Sequence, residues 1–201
     1  MRVLFTTLAA VGHAAPLAAI AVELAQRGHE VAWAAQPSIR AHLRPRDAPL
    51  FETDAPRELP QRRPDRAFAH MRRYFADVLP AAAHAMLPGI RSAIERFEPD
   101  VVVSEHNCLA GSIAARLADL PRVTVHVTPI LLLRPFQAMP GAEVWVDRQI
   151  SQVQRALGVD PLPWPLRSER TIIATSAEFL GSHADLSDGD ALVGALSAVP
   201  D

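Results

Sequence analysis

A doubly wound parallel α/β sheet of about six or seven strands is the fold class that this sequence predicts, and three features indicate it. Short apolar runs typical of buried strands alternate with longer segments of helical character. The first of these runs leads through a turn into a helix, as in Rossmann-like folds. The chain has 201 residues, of which 49% are apolar, enough to fill one such domain. We therefore expect residues 1–201 to form a single domain.

The first strand, turn and helix are the most informative part of the chain. Residues 3–5 are apolar, as expected for a strand that is covered on both faces. Pro16 suits the first turn of a helix, where its missing N–H costs nothing, and Gly28 suits the left-handed residue that ends one. Gly12 and His13 are therefore expected in a tight turn between this strand and this helix, which is where open α/β sheets bind ligands.

The same alternation continues along the rest of the chain. Strands are predicted at residues 30–35, 49–52, 101–104, 123–127, 171–175 and 191–196. Helices are predicted at residues 37–43, 65–78, 81–97, 109–120 and 143–157. Pro88 is expected to kink or split the third of these helices. Proline-rich loops are expected around residues 56–64 and 128–140.

Composition excludes several classes of function. The net charge of −2 predicts no long-range attraction to nucleic acid, and no run approaches the roughly 20 apolar residues that span a bilayer. Cys108 is the only cysteine, so the chain has no internal disulfide and no cysteine-based zinc site, and a reducing cytoplasm is the expected location. The histidines show no metal-site spacing, and we expect no metal.

His13 and Glu105 are the candidate catalytic residues. A histidine near a helix N-terminus is expected to be neutral, because the helix dipole disfavours the imidazolium, and a neutral ring can act as a general base. Glu105 directly follows the strand at residues 101–104 and is the carboxylate that could accept the other ring N–H of His13. In the alternative interpretation, His13 merely caps its helix and Glu105 is solvated. His106 and His126 lie near strand ends and could line the same cleft or be structural.

A dinucleotide site is a second interpretation of the first strand and helix. Such a site needs the turn G-x-G-x-x-G, but residues 8–13 contain only Gly12. Residues 34–36, which close the second strand, contain no acidic side chain to bind a ribose. A Rossmann-type oxidoreductase therefore stays the weaker alternative.

Four segments together resemble a known family. They are MRVLFTT at the start, Gly12-His13 followed by Pro16, RGHEV at residues 27–31 and PDVVVSE at residues 99–105. In order and spacing they are similar to the N-terminal domain of family 1 glycosyltransferases, the inverting two-domain enzymes that act on macrolides, enediynes and other natural products. The later segments LGVDPLP, TIIATS and VGAL extend the resemblance over almost the whole chain.

The resemblance implies catalytic and acceptor-binding roles for residues of this chain. In that family the first-turn histidine deprotonates the acceptor hydroxyl and an acidic residue, often aspartate, orients it, which corresponds to His13 and Glu105. Variable helices and loops form the acceptor pocket. The residues expected to contact the acceptor are Val11, Gly12, Phe68, Met71, Phe75, His106, Asn107 and Phe136.

In that family the nucleotide-sugar donor binds mainly to a second, C-terminal α/β domain, and no segment of this sequence is expected to represent it. The chain is therefore expected to be the acceptor-binding half of a GT-B fold, without a cofactor, inactive alone and dependent on a donor-binding domain or partner chain. A homo-oligomer is possible. A non-catalytic auxiliary or binding module with the same fold is an alternative from a different class.

Overall fold

A parallel sheet forms the centre of the protein in the computed structural model, which describes residues 1–54, 67–128, 139–163, 166–180 and 186–196. Its strands are β1 (Arg2–Thr6), β2 (Glu30–Ala35), β3 (Leu50–Glu52), β4 (Val101–Glu105), β5 (Arg122–His126), β6 (Arg170–Ile173) and β7 (Asp190–Leu192). All neighbouring pairs are parallel, in the order β3-β2-β1-β4-β5-β6-β7. The predicted doubly wound α/β fold is confirmed.

Helices connect the strands and cover both faces of the sheet. They are α1 (Val11–Gln26), α2 (Ala67–Arg73), α3 (Leu79–Phe97), α4 (Leu109–Leu117), α5 (Pro140–Ala156) and α6 (Ala177–Leu180), with a short 3-10 helix at Pro37–His42. Along β1 successive side chains point to opposite faces: Leu4 packs in one core cluster with α3, α4 and α5, whereas Val3 and Phe5 pack in another with α1. The two clusters account for the apolar runs that predicted buried strands.

The start of α1 differs from the prediction. The helix begins at Val11, after the extended residue Ala10, so that Gly12 and His13 lie in its first turn rather than in a turn before it. Pro16 is the sixth helical residue and leaves the Gly12 carbonyl without its usual i+4 donor. Gly12 is exposed, so water can satisfy that carbonyl, and this explains why the helix tolerates the proline.

The segment between β3 and β4 also differs. Two helices were expected, but α2 continues through a π-helical segment at Tyr74–Val78 directly into α3. Pro88 lies inside α3 and does not divide it. The helix ends at Glu98, which adopts a left-handed conformation (φ 45°) before β4 begins. The chain therefore reaches β4 through one unbroken helical stretch.

Some predicted features lie outside the described residues. These are the proline-rich segment at residues 55–66, most of the loop at residues 128–140, and the side chains of Phe68 and Phe136. Among the residues that are described, none of the helices combines the length and apolar character needed to cross a bilayer.

Close packing of α4 on the sheet fixes the turn that follows β4. A Cβ atom added at Gly111 would collide with the hydroxyl groups of Thr6 and Ser104. These hydroxyls hydrogen-bond to each other at 3.0 Å, and the Ser104 hydroxyl also donates to the Cys108 carbonyl at 3.0 Å. Gly111 therefore allows α4 to approach β1 and β4, and Ser104 ties the turn that carries Glu105 to the start of that helix.

This packing predicts that Gly111→Ala destabilises the protein. We expect its free energy of unfolding to fall by about 1–3 kcal/mol, because overpacking outweighs the better helix propensity of alanine. Gly141→Ala in α5 is the matched control, since no atom of the described residues, apart from its chain neighbours and its own helix backbone, lies within 4 Å of the added Cβ. That variant should be unchanged or more stable by up to about 1 kcal/mol. Urea denaturation of the two variants and the parent measures the difference, and equal stabilities would contradict the packing argument.

Candidate active site

The candidate site lies at the carboxyl edge of the sheet, where three neighbouring strands end. His13 follows β1, Glu105 is the last residue of β4 with His106 directly after it, and His126 is the last residue of β5. Because β1, β4 and β5 are adjacent and parallel, their carboxyl ends meet at one edge. The fold thus brings together side chains that are up to 113 positions apart in sequence.

The Glu105 carboxylate is the centre of this group, with its side chain 0% exposed. Its Oε1 atom accepts the Asn107 backbone N–H at 2.9 Å and lies 3.0 Å from His13 Nδ1 and 2.8 Å from His106 Nδ1. The His13 N–H does not point along the line to Oε1, so this contact is a close charge contact rather than a well-directed hydrogen bond. The longer glutamate side chain still reaches His13.

Electrostatics keep Glu105 ionised. Burial alone would raise the pKa of its carboxyl. The charge and close contact of His106 have the larger opposite effect and those of His13 add to it, so the pKa lies well below the usual range. The contribution of this lowered pKa to stability is present above the ordinary glutamate pKa and is lost only as the pH falls through the lowered value. Across the physiological range Glu105 is therefore a buried negative charge.

His13 responds to that charge. Burial would lower the pKa of its ring, but the contact with Glu105 and the charge of Glu105 outweigh burial and raise the pKa above 6.5. The helix dipole was expected to lower this pKa, but a full negative charge at 3.0 Å exceeds the half charge of a helix N-terminus, so the net shift is upward. A neutral ring at physiological pH stays a prediction. Above its raised pKa the ring is neutral and is a stronger base than an ordinary histidine.

The two nitrogens of His13 have different surroundings. Nδ1 is buried against Glu105, whereas 27% of the side chain is exposed to solvent. The adjacent carboxylate therefore stabilises a proton on Nδ1, and we assign this tautomer from the close charge contact. Nε2 is then free to accept a proton from a bound molecule.

Three imidazole rings stack at this edge. The ring centroids of His13 and His106 are 6.0 Å apart with 13° between the planes, and those of His106 and His126 are 4.9 Å apart with 14°. His126 is wholly buried, and burial, with the charges of His106 and Arg167, lowers its pKa to about 3, so it stays neutral. Stacked rings present faces rather than nitrogens to each other, and the described part of the chain contains no His, Cys, Asp or Glu group arranged for a metal.

Two predicted acceptor contacts are largely buried. Phe75 is 6% exposed and packs in the core cluster of α3, α4 and α5. The His106 side chain is 2% exposed and contacts Glu105, so it offers almost no surface to an acceptor. The sequence pattern placed both residues near the site but could not show which way each side chain faces.

The other predicted contacts that are described remain accessible to different degrees. Val11 is 49% exposed at the start of α1, and open space surrounds Gly12. Asn107 uses its backbone N–H on Glu105, and Met71 is partly buried against the core. Val11 and Gly12 are therefore the predicted residues that a ligand beside His13 would meet first.

Tyr74 is a site residue that the sequence analysis did not select. It lies in the π-helical segment, where burial and the nearby charges of Glu105 and Cys108 raise the pKa of its hydroxyl. Burial and the charge of Glu105 also raise the pKa of the Cys108 thiol to about 12, so this thiol stays protonated and is a poor nucleophile. In the sequence Tyr74 stands between Met71 and Phe75, two predicted acceptor contacts, and no stronger sequence signal marks it.

Comparison with solved structures identifies the fold. The chain matches a glycosyltransferase of kitacinnamycin over 100% of its own length and 52% of that chain, with a TM-score of 0.74 and 20% identity. It matches the calicheamicin glycosyltransferase CalG4 over 96% of its length and 52% of that chain, with a TM-score of 0.70 and 20% identity. It matches glycosyltransferase VinC, solved in complex with dTDP, over 87% and 49%, with a TM-score of 0.60 and 18% identity.

These matches define the class of fold. The chain spans about half the length of each of these enzymes and has the α/β architecture of one half of a GT-B glycosyltransferase. At these identities the likeness concerns the fold. No protein-family model matches the sequence, and no curated protein sequence matches it.

The site geometry predicts the effect of Glu105→Gln on His13. Removing the charge leaves burial as the main influence, so the pKa of His13 should fall below that of an exposed histidine. NMR titration of the His13 ring in the chain alone measures this change. Glu95→Gln on the exposed face of α3 is the matched control and should leave the His13 titration unchanged. An unchanged pKa in Glu105→Gln would show that the two residues are not coupled.

Proposed function

We propose that this chain is the acceptor-binding half of an inverting glycosyltransferase that moves a sugar from a nucleotide-sugar donor to a hydroxyl of a hydrophobic small molecule. The observation that carries the proposal is the 3.0 Å contact of His13 with the buried, ionised Glu105 at the carboxyl edge of the sheet. The shared fold with natural-product glycosyltransferases supports the class of reaction.

In the proposed mechanism His13 is the general base. The charge of Glu105 favours a proton on Nδ1, and Nε2 accepts the proton of the acceptor hydroxyl. The acceptor oxygen forms a bond to the anomeric carbon as the bond from that carbon to the donor phosphate oxygen breaks, releasing a nucleoside diphosphate. This single displacement inverts the anomeric configuration. Glu105 stabilises the imidazolium that results, because a carboxylate at 3.0 Å favours the charged ring.

The donor is proposed to bind mainly outside this chain. VinC, whose fold is similar, was solved with dTDP, and a nucleotide sugar of this kind is the donor that we propose. A second α/β domain, joined to this chain or separate from it, would hold the nucleotide. The proposed chemistry needs no further cofactor, since the base and the leaving group complete the reaction.

Apolar surface around the site supports a hydrophobic acceptor and an apolar interface. Val11 is 49% exposed beside His13, and Phe179 and Val193 follow β6 and β7 at 70% and 44% exposure. We assign Val11 to the acceptor cleft and Phe179 and Val193 to contact with the donor-binding half, or with a second copy of this chain. Phe68 and Phe136 remain proposed acceptor contacts.

The proposal predicts that His13→Ala removes most sugar transfer. The chain, assembled with a donor-binding half, would be assayed with dTDP-sugars and a panel of macrolide and aromatic aglycones. Loss of a general base should lower kcat by about 100- to 10,000-fold, with little change in acceptor binding. Product anomers identified by NMR would test inversion.

His29→Ala is the matched control, since His29 lies before β2 at the opposite edge of the sheet. It should keep parental activity. Full transfer by His13→Ala would contradict the general-base role. Absence of transfer by the parental assembly, together with tight binding of the chain to an intact transferase, would favour the non-catalytic module instead.

A further inference from the structure

We propose that His106 is a positioning residue that shares the Glu105 carboxylate with His13 and so limits how much of its negative charge acts on the base. The catalytic part of this inference rests on the proposed function. The charge sharing concerns the chain alone.

Contact geometry is the first support. His106 Nδ1 lies 2.8 Å from Glu105 Oε1, closer than His13 Nδ1 at 3.0 Å. The Asn107 N–H meets the same oxygen at 2.9 Å, whereas the other oxygen, Oε2, is buried and accepts no hydrogen bond from the described residues. The Asn107 N–H therefore holds the Glu105 side chain by one oxygen, and the two imidazoles share that oxygen through close charge contacts.

Burial and stacking are the second support. The His106 ring is 2% exposed and lies between the rings of His13 and His126, nearly parallel to both. A ring held on two faces cannot turn away from Oε1 without disturbing its neighbours. His126 is neutral and does not compete for the carboxylate. His106 is thus fixed as a permanent second partner of Glu105.

Charge balance explains what this sharing does. One carboxylate can neutralise one imidazolium, and a second imidazole on the same oxygen reduces the attraction that remains for a proton on His13. Without His106, the carboxylate would act on His13 alone and hold its proton more firmly. The base would then be protonated over a wider pH range and unable to accept a proton from the acceptor.

The ionisable groups around this pair come from several elements. Tyr74 in the π-helical segment and Cys108 before α4 feel the charge of Glu105, and both stay protonated at physiological pH. Arg167 forms a salt bridge with Asp190 at 2.9 Å, and its positive charge lowers the pKa of His126. Tyr74 and Cys108 are neutral, and the charge of Arg167 affects the ring of His126 rather than that of His13. Among these groups, His106 is therefore the one that competes directly with His13 for Glu105 Oε1.

The test is NMR titration of His13 in three variants of the chain. His106→Leu removes the second partner and should move the His13 midpoint to higher pH. His106→Asn places an amide donor near the Nδ1 position and should restore a midpoint close to the parental one. His126→Phe keeps a stacked ring without nitrogens and should leave the midpoint unchanged. A midpoint that stays or falls in His106→Leu would overturn the proposal.

A reciprocal variant covers the case in which His106→Leu does not fold. Coupling through one carboxylate is mutual, so His13→Ala should tighten the contact of His106 Nδ1 with Glu105 Oε1 and move the NMR resonance of the His106 Nδ1 proton downfield. A His106 Nδ1 proton resonance that stays in place would also overturn the proposal. His13 is partly exposed, so this variant leaves the core intact.

Sugar transfer separates this inference from the proposed function. In an active assembly, the acidic limb of the plot of kcat against pH should move to higher pH in His106→Leu, by the same amount as the His13 titration midpoint. In His106→Asn this limb should return close to its parental position. A purely structural role would lower kcat at every pH without moving the limb. Coupled titrations in an assembly that transfers no sugar would contradict the proposed function while supporting charge sharing.

Discussion

The buried negative charge of Glu105 is the constraint on which the site depends. A carboxylate removed from water is costly unless protein donors and positive charge replace its hydration. Here the Asn107 N–H and two imidazoles converge on one oxygen, within 2.8–3.0 Å. This compensation keeps Glu105 ionised, and the ionised carboxylate in turn raises the basicity of His13. The protonation of the base and the orientation of its ring thus have one common cause.

The sheet supplies the geometry that this compensation needs. Parallel pairing of β1, β4 and β5 places their carboxyl ends side by side, and the approach of α4 at Gly111 keeps the turn after Glu105 tight. Solved natural-product glycosyltransferases share this architecture in about half of their length. A rigid edge of this kind can hold a base in position while the surrounding apolar surface varies with the acceptor.

Much of the fold could be predicted from sequence because buried parallel strands have a strong local signal. The bounds of β2 match the expected residues 30–35, and Glu105, expected directly after the strand at residues 101–104, is the last residue of β4. The start of α1 was misplaced because Pro16 was taken as a helix opener, although an exposed Gly12 carbonyl lets the helix begin earlier. The burial of His106 and the raised pKa of His13 depend on side-chain contacts and ångström distances between strands, which no local pattern encodes.

The tautomer of His13 tests the central claim most directly. Selective ¹⁵N labelling of histidine in the chain alone, at a pH above the His13 midpoint, distinguishes a protonated Nδ1 from a protonated Nε2. A ring held by the ionised Glu105 should carry its proton on Nδ1, with Nε2 unprotonated, and Glu105→Gln should weaken that preference. A parental His13 that is protonated mainly on Nε2 would contradict the account, because the base would then have no free nitrogen facing the acceptor.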